Sequence, residues 1–516
     1  MVFFASTVIR AATNEVKDDI FAPDSPIVRL KVEISRENWK SLQSDYRKPV
    51  TATVREGATV YSNVMVHVKG AAGSLRDINS NPSLTLNFGK SEKADKDQRF
   101  HGLKKIHVNN SVQDPSQSSY CISSMMFNDA GIPAARVTNA RLTLNGKDLG
   151  MYVLVEGFSK DFLKRYFKDT KGNLYDGGFC QDIDTGLERD MGEGEDTKAD
   201  LRRLTQAART PERAKRFGEL QKVLDVDRFI DYMVVENFTW DWDGYPAKAN
   251  NYRIYHDPST DKMVFIPHGM DQMFWDTHGS VWRPEAGGLV ARALIETPEG
   301  AKLYRERVKA LFEKAFRINA INTRLDQLTK RNRSAAGEGR WFPGNWEGAV
   351  SDLRRRINER HNFVKSQIEN EPKPLDFSKP VIVKAWRQQI ESGGVRMDQP
   401  KVDEKSTLHI VANGESRASW RSAVILDPGK YRFEAMARAY QLSGIRDSKG
   451  DGAGIRISGS TQARKNSVAG DSAWTRLQYD FEVQGAPSEV TLICESRANR
   501  GEVWFDASSL RLEKLR

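Results

Sequence analysis

Apolar and polar positions alternate with a period of two through Ile27-Val-Arg-Leu-Lys-Val-Glu-Ile34, Thr51-Ala-Thr-Val-Arg55 and Val64-Met-Val-His-Val-Lys69. Alternation of this kind predicts antiparallel strands with one buried face. Ser35 is placed to cap a short helix, and residues 116–130 form a second helical stretch that stops at Gly131-Ile-Pro133. Two further strands flank Asn145-Gly146, a strong hairpin turn. The expectation is a sheet-rich lobe over residues 27–158 with a helix across it. From Lys160 onward the pattern turns helical, at 161–167, 200–208 and 225–238, then at 300–315, 320–333 and 346–369. One more hairpin interrupts it, Tyr252-Arg-Ile-Tyr255 and Met263-Val-Phe-Ile266. Residues 186–200, acidic and glycine-rich, read as a mobile surface loop.

The Pro-rich run 371–380 is the clearest boundary in the chain. Beyond it, short alternating strands at 407–411, 422–426, 429–437, 454–458, 475–482, 489–494, 501–505 and 509–515 predict an all-β sandwich over 381–516, with a jelly-roll-like closing pattern. Trp420, Tyr440 and Trp474 are candidates for a sugar platform on it, with core packing the competing role. The fold class read from the pattern is α+β: a two-lobed domain over 27–370, divided at 158/159, followed by a linker and the sandwich.

Composition changes this picture little. The chain has 516 residues, 29% charged and 39% hydrophobic, with a net charge of +10. No concentrated basic stripe with interleaved aromatics occurs, so no nucleic-acid partner is expected. Three cysteines without a CxxC pair argue against a disulfide framework or a zinc site. No apolar run is long enough to span a membrane. Residues 1–26 read as an N-terminal segment whose apolar start is the remnant of an export signal. That favours an exported or surface-associated protein over a cytoplasmic one.

Candidate chemistry concentrates between Phe238 and Phe274, where five aspartates and two asparagines surround the second hairpin. Asp243 precedes the hairpin, Asn251 opens it and Asp271 follows it. A hard divalent cation beside a triphosphate needs oxygen ligands in one neighbourhood, together with a carboxylate to orient a hydroxyl nucleophile. Asp and Asn also cap helices and shape turns, and the residues alone leave both roles open.

These segments resemble the kinase family named after spore coat protein H (CotH). The resemblance is carried by Trp242-Asp-Gly-Tyr245, Asn251-Tyr-Arg-Ile-Tyr-His-Asp257 and Phe265-Ile-Pro-His-Gly-Met-Asp271. Upstream, in the same order, it includes the Phe100-His-Gly-Leu-Lys-Lys105 strand, the Asp129-Ala-Gly-Ile-Pro133 turn and the Asn145–Glu156 hairpin. It implies an atypical protein-kinase-like fold that transfers a phosphoryl group from ATP, with Mg2+ or Mn2+, to a protein substrate. Asp243 becomes the catalytic carboxylate, and Asn251 and Asp271 become metal ligands. The chain departs from the family where a strand lysine usually meets the phosphates: Asn81-Pro-Ser-Leu-Thr-Leu-Asn-Phe88 has none. Lys69, Arg76 and Lys105 are the remaining cations, Gly70 opens a turn able to cover phosphates, and Glu156 closes a strand at the expected hinge. Gly269 stands where relatives carry a further acid. These departures keep two alternatives open, a non-catalytic surface- or matrix-binding protein and a metal-dependent hydrolase. The sandwich adds polysaccharide or a cell-surface component as an expected partner.

Overall fold

A computed structural model describes residues 19–336, 344–371, 373–447, 449–460, 463–484 and 487–515. Most of the N-terminal segment read as an export-signal remnant therefore lies outside the described residues. The chain divides into two compact units, one ending at Ile368 and one beginning at Glu369, with residues 296–302 counted in the second.

The first unit opens with seven strands: β1 (Val28–Glu33), β2 (Val50–Glu56), β3 (Thr59–Lys69), β4 (Ser83–Asn87), β5 (Lys105–Asn109), β6 (Val137–Leu144) and β7 (Lys147–Glu156). They close into a barrel in the order β1-β2-β3-β4-β5-β7-β6. Closure leaves no unpaired edge. It is made by β1 and β6 running parallel, Val28 opposite Ala140. Alternation predicted the strands but not this pairing, because periodicity fixes which face is buried and not which strand lies alongside. The inward positions, among them Val28, Leu30, Val32, Val54, Val66 and Leu86, form the barrel's own core.

Two helices accompany the barrel. In α1 (Arg36–Ser44) the Ser35 side chain accepts from the Asn38 amide, as its position in the sequence predicts. Helix α2 (Ser119–Ala130) ends at Gly131, whose φ of 93° is the left-handed conformation that suits glycine.

The remainder of the unit is mostly helical: α3 (Lys160–Tyr166), α4 (Ala199–Ala208), α5 (Arg213–Val223), α6 (Val226–Thr239), α7 (Tyr245–Lys248), α8 (Leu289–Ile295), α9 (Pro298–Ala315), α10 (Ile318–Ala336) and α11 (Trp346–Glu369). Inside it lies a small sheet of β8 (Leu174–Asp176), β9 (Glu188–Met191), β10 (Tyr252–Asp257) and β11 (Lys262–Pro267), in the order β11-β10-β8-β9. Here the acidic 186–200 segment departs from expectation. It supplies strand β9 and a buried Asp200, which accepts from Tyr175 Oη at 2.8 Å and from Asn173 Nδ2 at 2.8 Å. Its acids have specific partners, which composition alone does not reveal.

The second unit wraps a single apolar core. Its strands are β12 (Val381–Ile382), β13 (Arg387–Asp398), β14 (Lys401–Val402), β15 (Lys405–Leu426), β16 (Gly429–Gly444), β17 (Gly452–Ile457), β18 (Thr475–Val483), β19 (Ser488–Asp506) and β20 (Arg511–Leu515), of which β15, β16 and β19 are the longest. The strand pairs expected at 407–411 with 422–426, and at 489–494 with 501–505, are each one continuous strand. A register shift between Asn413 and Ser416 lets the chain bend without breaking. Trp420 is 2% exposed in the core and its Nε1 donates to His409 O, so it is not part of a sugar platform. Tyr440 is 50% exposed.

Candidate active site

The loop after α6 positions the first carboxylate. Trp240 turns left-handed at φ 47°, and the Asp241 amide returns to Glu236 O at 2.9 Å. Asp241 Oδ1 accepts from the Asp243 amide at 3.2 Å, which shapes the turn. Gly244 is required because a Cβ there would lie 1.8 Å from a Glu236 carboxylate oxygen. Asp243 is then fixed by two amides. Its Oδ2 accepts from Asn250 Nδ2 at 3.1 Å and from Asn251 Nδ2 at 2.9 Å, and its carbonyl accepts from Asn251 at 3.2 Å.

Asn251 has φ 50°, a left-handed conformation that asparagine tolerates. With its Nδ2 committed to Asp243, its Oδ1 faces Gly269, where an added Cβ would come within 2.5 Å. The family's extra acid at this position would collide with the Asn251 amide. Gly269, at φ 69°, is the residue that fits.

Strand β11 ends at Pro267, and the next turn delivers Asp271. The His268 amide bonds to Asn251 O at 2.9 Å, and the Asp271 amide to Gly269 O at 3.0 Å. Burial, then the negative charges of Asp114 and Asp243, push the Asp271 carboxyl up to about 6, with Lys69 acting in the opposite direction. Lys69 is itself pushed down to about 8 by burial, against the pull of Asp271. Lys69 of the barrel and Asp271 of the helical lobe thus lie within electrostatic reach of each other.

The cations come from strands beside the one expected to carry them. In the barrel order β4 lies between β3 and β5. Lys69 on β3 pairs across from Ser83, and Lys105 on β5 pairs across from Asn87. Cross-strand partners project to the same face. Lys69 Nζ donates to Asn109 Oδ1 at 3.0 Å. Lys105 is lowered by burial and by Arg253. His67, Thr85 and His107 sit in register on this same outer face, and burial keeps both imidazoles neutral, His67 pushed down to about 4.

Sequence reasoning missed Arg253. It is buried on β10, bonded to Asp176 at 2.8 Å and to Asp190, with its guanidinium 4.8 Å from the Phe158 ring. The signal available was an arginine on the apolar-alternating strand Tyr252–Tyr255, where a buried charge demands acidic partners.

Three sequence candidates have other engagements. Arg76 Nη1 clasps its own turn through Gly73 O at 3.0 Å and Leu75 O at 2.8 Å. Gly70, at φ 131°, closes that turn, and a Cβ there would meet Leu75 Cα at 2.9 Å. Glu156 is buried, with its carboxylate held by Arg136 at 3.3 Å and Arg165 at 2.8 Å. It ties β7 to α3 and is not an edge residue in solvent.

Among the described residues no group of three or more His, Cys, Asp or Glu side chains could hold a metal by itself. A magnesium-type ion needs only one or two protein oxygens, its shell being completed by phosphates and water. The oxygens that could take such an ion are those of Asp271, on which no side chain among the described residues donates, and Asn251 Oδ1.

Beneath the loop, Glu236 and Asp241 form a buried acidic pair. Burial and Asp241 hold Glu236 well above the usual carboxylate range, and burial, with Asp243 and Asp271, pushes Asp241 up to about 8. Raised folded-state values mean that the folded protein keeps protons which the unfolded chain releases. This contribution to stability is full below about pH 4 and is lost as pH rises through about 8. Asp241→Asn keeps the acceptor for the Asp243 amide and should flatten that decline in chemical denaturation. Equal pH slopes in the two proteins would contradict the assignment.

The sequence profile of CotH kinase proteins matches residues 66–367. Inner spore coat protein H of Bacillus subtilis (strain 168) is 23% identical over 256 residues, 45% of this chain and 69% of that protein. Invasin CotH3 of Rhizopus delemar is 24% identical over 276 residues, 48% of this chain and 45% of that protein. Among solved structures, the Helicobacter pylori proinflammatory kinase CtkA covers 56% of this chain and 94% of its own, at 11% identity and a TM-score of 0.28. The profile spans more than half of the sequence and contains every residue from Lys69 to Asp271 discussed above, and the chain belongs to the CotH kinase protein family.

Proposed function

We propose that the first unit binds ATP with Mg2+ or Mn2+ and transfers its γ-phosphoryl group to a hydroxyl of a protein substrate. The observation that carries this reading is Asp243, held by Asn250 and Asn251 within electrostatic reach of Asp271, which in turn lies within reach of Lys69. Asp243 accepts the proton of the attacking hydroxyl as the new O–P bond forms and the bond to the departing ADP oxygen breaks. Lys69 and Lys105 offset the negative charge on the phosphates, in place of the family's lysine on β4. A divalent cation, when bound, would supply positive charge against the phosphates. Asp271 and Asn251 hold the oxygens that would orient it. Neutral His67 and His107 line the same face of the barrel without adding charge.

Titration calorimetry with ATP and either metal tests the reading. Lys69→Met should weaken binding about tenfold or more, the loss expected for one charge-assisted contact. A wild-type protein that binds no ATP with either metal would contradict it.

For the second unit we propose a polysaccharide- or surface-binding role, on a β-sandwich of the jelly-roll kind. Tyr440 is half exposed, and Trp474 is held by Asp403 at 3.1 Å and capped by Lys405 at 4.8 Å. No helix among the described residues is long and apolar enough to cross a membrane. The coat and invasin relatives favour an exported or surface location for this chain too.

A further inference from the structure

A cavity of about 190 Å3 adjoins the loop that carries Asp243. Its apolar wall comes from Met233 on α6, Trp240 and Trp242 on the loop, Pro246 and Ala247 on α7, and Pro284 from the segment before α8. Two acids also line it, Glu236 and Asp241, whose carboxyls burial keeps protonated at neutral pH. The two exposed charges on its lining, Lys248 and Glu285, are opposite in sign. The cavity therefore presents little net charge and suits an uncharged, apolar group. An apolar cavity of about 150 Å3 accepts a benzene molecule, so one leucine, methionine or phenylalanine side chain fits here.

Most of the wall is fixed by the fold. The Trp240 ring packs so closely on Gly279 that a Cβ there would lie 1.8 Å from it. The Arg360 guanidinium lies 5.1 Å from the same ring and donates to the Asn237 carbonyl at 2.8 Å. The Gly287 and Gly288 amides both bond to Pro246 O, which ties the segment before α8 to α7. A preformed pocket spends little ordering entropy on binding. Trp242 differs, being 42% exposed. Among the described residues of the first unit, two other aromatic side chains are as open, Phe179 at 58% and Trp275 at 57%. Each of the three stands on a loop that the site itself uses. Trp242 directly precedes Asp243, and Trp275 follows shortly after Asp271. Phe179 adjoins Cys180, whose amide donates to Asn250 Oδ1 at 3.1 Å. Aromatic surface left in water on such loops is surface for a partner.

We infer that this cavity is the specificity pocket for the acceptor protein, taking one large apolar side chain within three residues of the phosphorylated hydroxyl. The inference rests on the phosphotransfer reading, which puts that hydroxyl at Asp243, one residue from Trp242. An extended chain advances about 3.3–3.6 Å per residue, so neighbours of the acceptor come within reach of the pocket. The substrate class is then a segment chosen by an apolar anchor beside its hydroxyl, not by charge.

Fluorescein-labelled peptides of glycine and alanine around a single serine test it on the full chain. Leucine, lysine or glutamate is placed in turn at each of the three positions on either side. Anisotropy without ATP reads binding, and γ-labelled ATP with Mg2+ reads transfer. At least one leucine position should bind about tenfold or more tighter than the parent peptide, and lower KM by a similar factor. Lysine and glutamate at that position should not. Trp242→Ala, which removes the lip, and Ala247→Phe, which fills the pocket, should both erase the leucine preference. Both positions are partly open to solvent, so melting should stay close to wild type. Selective leucine binding with no peptide labelled would support the pocket and count against the phosphotransfer reading. No leucine preference in either readout, an equal gain from lysine or glutamate, or a preference unchanged in both variants would overturn the inference.

Discussion

Asp243→Asn is expected to reduce phosphotransfer by about 10²–10⁴-fold, the usual contribution of a positioned general base. The protein should remain folded and bind ATP with its metal at close to wild-type affinity. The geometry explains why the loss can be so selective. The carboxylate is held by the side-chain amides of Asn250 and Asn251. An asparagine carbonyl can accept those same bonds, so the loop keeps its shape while the proton acceptor is lost. Single-turnover rates with saturating ATP, alongside a melting curve, read the effect. Near-normal turnover in a folded Asp243→Asn protein would remove Asp243 from the chemistry.

Asp271→Ala is expected to abolish metal-dependent nucleotide binding. Burial and the neighbouring acids raise this carboxyl to about 6 in spite of the opposing charge of Lys69. Among the described residues no side chain donates to it, which is the basis for proposing it as a ligand to an external cation. The free protein should therefore be no less stable without it. Proton and cation compete for the same oxygens, so wild-type affinity for ATP with metal should fall as pH drops through about 6. Asn251→Ala should behave differently. It weakens binding less, since a neutral amide oxygen adds little charge, but it also releases the Asp243 carboxylate held at 2.9 Å. Its larger effect should be on kcat. Equal calorimetric binding by wild type and Asp271→Ala would reduce Asp271 to a turn residue.

The sequence made the site's skeleton legible because local chemistry was dense there. Asp243, Asn251 and Asp271 sit close together in the chain around one hairpin, and the structure brings Asn251 onto Asp243 and places Asp271 within electrostatic reach of Asp243. Lys69 and Lys105 could be named, but not joined. Their meeting depends on β3 and β5 flanking β4, a long-range pairing that alternation cannot encode. The partners of Arg253 were hidden for a related reason: Asp190 comes from a segment whose glycines and acids read as loop. Glu156 and Arg76 were visible as charges, while the arginines and carbonyls that occupy them lie elsewhere in the fold or in the backbone. In the second unit, strand existence followed from pattern. Strand length did not, because a bulge lets one strand run through what reads as two. The helix α5 was missed altogether, its face broken by Arg216 and Gly218 so that few apolar positions mark the period.

The most direct test of the central claim is transfer of label from γ-labelled ATP, with Mg2+ or Mn2+, to a panel of hydroxyl-bearing proteins and to the chain itself. Wild type is predicted to label at least one acceptor on serine, threonine or tyrosine in a metal-dependent manner, and Asp243→Asn is predicted not to. Absence of transfer by a wild-type protein that demonstrably binds ATP and metal, or equal transfer by Asp243→Asn, would contradict the account.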